Sequence, residues 1–514
     1  MFFRKPHGGR YECTAGCQNK KPRVRPFPLP PDSPRWREID EKLKADDPAR
    51  LVRRQLAQLN PETLYEVYRG CGQAAFDPLV MLGMVLYMIL QGVTSPAQWH
   101  KQANLNEAVQ WLGYGYAPAR RTWYDFRDRL HKCIEKVHAE YVQFAIDQEL
   151  VDPSVAVQDG TSIAACASRH RMVNETTLAS RQQVLNDLAS GAMAEDAEIP
   201  KWVPPTQVGR EQLAERAQQA DEVLQQRIAE NAKKPADKRK DPDKIVVSLS
   251  DPAAPLGRDK RKVYRPLYTV QFVVELNSLL ILAYQCVAAV CDAGTLAPMI
   301  DRVQETVRGL LRCILADAGY CTILDLRACL ERGVELLAPV QANSFSKPKK
   351  NTNGVGLSNR DDFEWDAERQ TYRCPAGHEL DYHSKQKKQR QGEQTLIQYR
   401  YHCPPEKCGS CQLASGCVKD PTKGRTVTRM EGQDLLDAQR EKMERPEVKE
   451  LYKRRGQTVE LTFADAKGNR RFEQYHGRGL SRVQTETGLL VLSQCLLRVD
   501  RLQRNAANPG ETGT

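Results

Sequence analysis

The stretch Arg445-Pro446-Glu447-Val448-Lys449-Glu450-Leu451-Tyr452-Lys453-Arg454-Arg455-Gly456-Gln457-Thr458-Val459-Glu460-Leu461-Thr462-Phe463-Ala464-Asp465-Ala466-Lys467 decides how the rest of the chain is read. Pro446 suits a first helical position, where its missing N–H costs nothing. Val448, Leu451, Tyr452, Val459, Phe463 and Ala466 recur mostly at three, four or seven residues, which predicts one buried helix face. Gly456 is a point where the helix can divide in two. Lys453, Glu460 and Lys467 fall on a second face, so a carboxylate flanked by cations is expected beside the core. Taken alone, Glu460 also fits an ordinary surface glutamate on an amphipathic helix.

Composition sets the frame. The 514 residues suffice for two to four domains, and 40% apolar with 27% charged residues leaves room for polar insertions. A net charge of +11 favours polyanionic partners, since each phosphate met by Lys or Arg releases counterions. The N-terminal Met1-Phe2-Phe3-Arg4-Lys5 lacks a secretory signal, and the longest apolar run, Leu79 to Val93, is short for a membrane span. A soluble cytoplasmic protein with reduced thiols is expected, and no membrane partner.

The chain then divides by pattern. Residues 1–46 read as a basic, proline-rich arm, the first 31 carrying seven Lys or Arg against the single acid Glu12. Residues 47–150 read as an all-α domain with helices at Leu51–Leu59, Pro61–Arg69, Pro78–Gln91, Pro96–Leu112 and Arg121–Leu150. Within it Arg120 to Leu130 sets basic residues beside aromatics, which fits either a phosphate-binding surface or a core helix with a solvated face. Val155 to Thr161 reads as a strand carrying Asp159 near its end, although Asp159-Gly160 alone equally signals a hairpin turn. Residues 170–262 read as a polar insertion with a helix at Gln212–Asn231 and a charged linker at Lys233–Lys244. A hairpin (Leu267–Leu276, Leu279–Val290), a helix (Thr295–Val307), a strand ending at Asp317, a helix (Ile323–Arg332) and a strand (Val334–Val340) follow. Asp317 alone is as well explained as a helix cap.

Three strands, helix, strand, helix, strand and a final acidic helix is the order of an RNase H-like domain. The expected fold class is therefore α/β: an RNase H-like mixed sheet with flanking helices, preceded by an all-α domain and interrupted by insertions. Its pieces are 151–169, 263–340 and 441–503; a basic, cysteine-rich insertion fills 341–440, and 504–514 read as a disordered tail. Residues 341–430 hold sixteen Lys or Arg against ten acids. Cys403, Cys408, Cys411 and Cys417, spaced Cys-x4-Cys-x2-Cys-x5-Cys, offer enough thiolates for structural Zn²⁺; Cys374, His378 or His402 are substitutes for one ligand, and reduced thiols are the alternative.

The Glu460 stretch resembles the last catalytic helix of DDE transposases of bacterial insertion sequences, whose signature runs Tyr, two residues, Arg, three residues, Glu, six residues, Lys. Tyr452, Arg455, Glu460 and Lys467 match it, except that four residues separate Arg455 from Glu460. A strand ending Asp159-Gly160-Thr161 and the run Ala316-Asp317-Ala318-Gly319-Tyr320 resemble the family's first and second aspartate motifs. Phe76-Asp77-Pro78 and Trp111-Leu112-Gly113 resemble landmarks of the helical domain that precedes the catalytic one. The resemblance covers about residues 50–500. It implies Asp159, Asp317 and Glu460 as catalytic residues and ligands of Mg²⁺ (or Mn²⁺), and Tyr452, Arg455, Lys467, Arg470 and Arg471 as DNA-binding. It also implies action as a nuclease and strand transferase on double-stranded DNA, at transposon terminal inverted repeats and in target DNA, by a homodimer that is nucleoid-associated when bound. The alternative is a catalytically inactive, zinc-stabilised DNA-binding protein.

Overall fold

The computed structural model describes residues 21–507 apart from 69, 71, 193–197, 235, 260, 342–357, 390–394 and 419. The chain divides into two compact units, Met1–Asp292 with Asp301–Leu311 and Gly456–Thr514 in one, and Ala293–Ile300 with Arg312–Arg455 in the other.

In the first unit, short helices open on proline: Pro34–Lys42, Pro48–Leu56, Pro61–Tyr65, α1 (Pro78–Leu90) and Pro96–Leu105. Asp47, Asn60 and Asp77 cap three of them, each accepting the backbone N–H two residues on, which satisfies donors the helix leaves orphaned. The helix at Pro34 lies inside the segment expected to be an arm. Two longer expected helices each divide. Asn106 caps Glu107–Leu112 and so ends its predecessor at Leu105, and a turn at 131–133 separates α2 (Arg120–Leu130) from α3 (Ile134–Asp147). Helix α1 is the apolar run noted in the sequence and is almost wholly buried. Among the described residues no helix is long and apolar enough to cross a membrane.

Strands β1 (Val155–Ala164), β2 (Leu256–Arg258), β3 (Tyr264–Glu275) and β4 (Ile281–Val287) form the sheet of this unit; β3 pairs antiparallel with β1, β2 and β4. The β3–β4 hairpin is the one expected. β1 runs three residues beyond Thr161, so Asp159-Gly160 is strand and no turn. The segment between β1 and β2 holds two helices, Glu175–Ser190 and Gln207–Ala232, the first unforeseen, packed through Leu178, Leu185, Ala217, Ala220 and Leu224. The expected linker over Lys233–Lys244 contains two short 3₁₀ turns. The unit is completed by α5 (Leu480–Ala507), whose buried Leu489, Leu490, Leu492 and Leu496 are fully enclosed. It continues past Arg504, where a disordered tail was expected; residues 508–514 lie outside the described ones.

The second unit holds a parallel strand pair and a five-stranded sheet. β5 (Cys313–Leu315) pairs parallel with β6 (Glu335–Leu337) across the helix Ile323–Glu331, the right arrangement for a strand–helix–strand crossover. Gln439, on the helix Gln433–Glu444, donates to the carbonyls of Leu336 and Ala338 at 3.1 and 3.0 Å and so ties that helix to β6. The region read as an insertion folds as a five-stranded antiparallel sheet in simple chain order: β7 (Glu364–Asp366), β8 (Thr371–Arg373), β9 (Glu379–Gln389), β10 (Thr395–Cys403) and β11 (Arg425–Met430).

Antiparallel pairing in the first unit, both parallel and antiparallel pairing in the second, and helices in each make an α/β fold, in the element order expected along the chain. The deciding stretch forms α4 (Pro446–Ala464), unbroken at Gly456, followed by a single π-helical turn over Asp465–Asn469.

Candidate active site

Asp159 stands within β1, half-buried, directly opposite Phe272 of β3. Side chains along a strand alternate between faces, so Val157, Asp159, Thr161 and Ile163 share one face with Phe272, while Gln158 and Gly160 point to the other. On that other face a β-carbon at Gly160 would collide with Asp292 Oδ1 and Gln271 Nε2. Fully buried Gln271 donates to Asp292 Oδ1 at 2.6 Å, which fixes the obstacle in place. Glycine at 160 therefore answers a close approach.

Helix α4 seats its second half on the Asp159 face. Phe463 stacks on Phe272 with ring centroids 5.1 Å apart at 22°. Thr458 donates to the Leu276 carbonyl at 3.3 Å. Gln494 of α5 donates to the Thr462 carbonyl at 3.3 Å and to Asp465 Oδ2 at 2.7 Å, locking the end of the helix. Val459, Phe463 and Ala466 are buried as their spacing predicts, and Glu460 is exposed one turn before Phe463. Lys467 lies in the π turn and not on a continued helix face. Its ammonium donates to Thr161 Oγ1 at 2.6 Å and to the Ser162 carbonyl at 3.1 Å, two and three residues along β1 from Asp159.

Within the second unit, Asp317 follows β5 and caps the 3₁₀ turn Ala318–Tyr320, accepting the Gly319 N–H at 2.7 Å. The capping role read from the sequence is present in the structure. Its carboxylate is half-exposed and 4.0 Å from Arg455 Nη2, while Tyr452 Oη donates to the Ala316 carbonyl at 3.1 Å. The Tyr and Arg of the signature thus touch the segment that carries Asp317.

Of the five residues expected to meet DNA, four already have work inside the protein. Tyr452, Arg455 and Lys467 are engaged as described. Arg470 binds Asp465 at 3.0 and 3.2 Å and donates to the Leu90 carbonyl at the end of α1. That guanidinium is among the groups that hold the Asp465 carboxyl below its usual range, against the burial that raises it. Arg471 is exposed, in left-handed backbone (φ 53°). In Arg120–Leu130 the apolar positions join the core: Trp123, Phe126 and Leu130 are buried and Arg127 is enclosed in an ion pair with Glu486 at 3.0 Å, while Arg120, Arg121 and Arg129 are exposed.

The described cysteines form no disulfide. Cys403, Cys408, Cys411 and Cys417 line one cavity, joined by Cys374 and His378; His402 is not part of it. Among the described residues no three His, Cys, Asp or Glu side chains are gathered closely enough to hold a metal ion, so the cysteine set is not drawn together as a coordination sphere.

Residues 373–499 match the family model of the transposase DDE domain, a span that includes β9–β11, α4 with Glu460, and most of α5. Residues 37–129 match that of the transposase domain DUF772, the run of short helices up to α2. No curated protein and no solved structure matches the chain. With a helical transposase domain matched ahead and a DDE domain carrying the glutamate helix matched behind, the two family models support a DDE transposase of the insertion-sequence type.

Proposed function

We propose that this transposase binds the terminal inverted repeats of its element as a homodimer, cleaves DNA at their ends, and joins those ends to target DNA, with Asp159, Asp317 and Glu460 as the catalytic carboxylates. The observation that carries the reading is the seating of α4: Phe463 on Phe272, opposite Asp159, and Lys467 on Thr161 bring the Glu460 helix to the sheet face that bears Asp159. Carboxylate oxygens are the donors that hard divalent cations take, so the three acids suit Mg²⁺ or Mn²⁺. When bound, such ions supply a Lewis acid for the scissile phosphate and activate water or a 3′-hydroxyl.

The chain's own residues set the stage for that chemistry. Tyr452 and Arg455 orient the loop of Asp317, Lys467 and Arg470 fix the turn after α4, and exposed Arg471 meets a phosphate, which sets register without reading sequence. The protein works on the nucleoid in the cytoplasm.

The test is cleavage of linear DNA carrying an element end, with and without Mg²⁺ or Mn²⁺. Metal-dependent nicking at the end is expected, abolished by Asp159→Asn or Glu460→Gln while DNA retention in a gel-shift assay persists. Retention without cleavage by the intact protein under either metal would favour the second reading, a DNA-binding protein that no longer catalyses.

A further inference from the structure

The cysteine-lined cavity lies in the second unit and has no part in the proposed reaction. It measures about 30 Å³, enough to hold a water or a metal ion, and is lined by Cys374, Cys403, Cys408, Cys411, Cys417 and His378, among others. The thiols arrive from separate places: Cys374 from the turn after β8, Cys403 from the end of β10, Cys408 and Cys411 from the short helix Pro405–Gly409 and the turn beyond it, and Cys417 from the helix Ala414–Cys417. Buried cysteines scattered singly pack as small apolar groups. Five around one water-sized space are a different pattern.

Two further features point to an anionic sulfur site. The His378 backbone N–H donates to Cys374 Sγ at 3.3 Å, within a turn closed by the Cys374 N–H on the His378 carbonyl at 2.9 Å. An amide aimed at sulfur favours the thiolate over the thiol. Arg425 lines the same cavity, and its buried Nε has no hydrogen-bond acceptor among the described residues. A guanidinium beside the cavity is the counter-charge that a cluster of thiolates calls for. The surrounding core is also small, and two of its eight buried members are the cavity's own Cys403 and Cys408. A core of that size is commonly stapled by a metal or a disulfide, and no disulfide is present among the described cysteines.

We propose that this cavity binds one zinc ion through four of the five thiolates, with the Cys408–Cys411 pair indispensable, and that the ion staples the loop end of the five-stranded sheet. Each coordinating thiol gives up its proton to solvent as its sulfur–zinc bond forms, and no electron moves. The thiols line the space without yet being drawn to ligand separation, so binding pulls the 374–378 and 403–411 segments inward. Because each ligand thiol has to lose its proton, zinc binding weakens as pH falls.

The test is the zinc content of the full-length protein, purified reduced and dialysed against metal-free buffer. Roughly one zinc per chain is expected, retained in Cys291→Ser and lost in the double variant Cys408→Ser, Cys411→Ser. Cobalt(II) added to the zinc-free wild-type protein supplies a readout that needs no variant to fold. Intense thiolate-to-cobalt charge transfer with tetrahedral d–d bands is the expected spectrum. Folded wild-type protein that takes up no zinc, zinc retained by the double variant, or a weak octahedral cobalt spectrum would each overturn the proposal. None of these measurements involves cleavage, so their failure is distinct from a failure of the catalytic reading.

Discussion

Replacing Phe463 by alanine tests whether the seat of α4 is what places Glu460. Phe463 is 8% exposed and its stacking partner Phe272 is 1% exposed, so the ring sits at the edge of the core with one face fully covered. Buried Phe→Ala changes cost about 3–5 kcal/mol, and the edge position puts this one near about 3 kcal/mol. Of that, about 1 kcal/mol belongs to the stacked pair itself and should appear as a coupling energy in a cycle with Phe272→Leu. The functional effect should exceed the stability effect. The helix keeps its hold through Thr458 and Gln494, so the variant folds, but the turn bearing Glu460 loses its aromatic anchor on β3. A displacement on the order of 1 Å at a reacting group can lower a rate about 100-fold. Urea unfolding followed by circular dichroism gives the first number. Single-turnover cleavage of end-containing DNA, normalised to the folded fraction, gives the second, and Phe463→Leu should restore most of both. Wild-type cleavage per folded Phe463→Ala molecule would show that α4 does not position its glutamate through this contact.

Two further outcomes follow from the packing of the first unit. His138 is wholly enclosed, and Nε2 donates to the Ile281 carbonyl at 2.8 Å in the neutral ring; burial holds its pKa down to about 4. The unfolded chain therefore takes up this proton first: stability is intact above an ordinary pKa of roughly 6.5 and falls as pH drops toward about 4, by on the order of 3 kcal/mol, a slope that urea midpoints should show and that His138→Gln should flatten. Gly488, mid-helix in α5, would gain about 1 kcal/mol on helix propensity as alanine, but the added carbon would overlap the Tyr284 hydroxyl and come within 2.8 Å of Ile134 Cγ1. Gly488→Ala should thus lower stability by about 1–3 kcal/mol; a raised thermal midpoint would mean that the α5 contact is looser than described.

What the sequence revealed and what it hid divides along physical lines. Elements whose signal is local were legible: the β3–β4 hairpin, the apolar α1, and the buried Val459 and Phe463 of α4, whereas Val448, Leu451 and Tyr452 of the same expected face are only partly buried. Boundaries set by single caps were not, since Asn106 ends a helix by accepting N–H groups that periodicity does not register. Asp159-Gly160 left a turn open beside the strand because glycine is ambiguous; only the far strand, with Gln271 and Asp292 crowding the space, shows why no larger residue fits. Arg127 is the counterpart among charges. A basic residue beside aromatics reads as a nucleic-acid contact until Glu486, 359 residues away, appears against it.

The same separation explains the signature residues. Tyr, Arg and Lys around a catalytic glutamate invite the reading that each touches DNA, yet Tyr452 reaches a carbonyl next to Asp317, Arg455 the Asp317 carboxylate, and Lys467 the strand of Asp159. Each is committed to the chain segment of one of the other two acids. The extra residue between Arg455 and Glu460 is compatible with this, because a guanidinium at the end of a long flexible stem can reach its carboxylate from a neighbouring position on the helix.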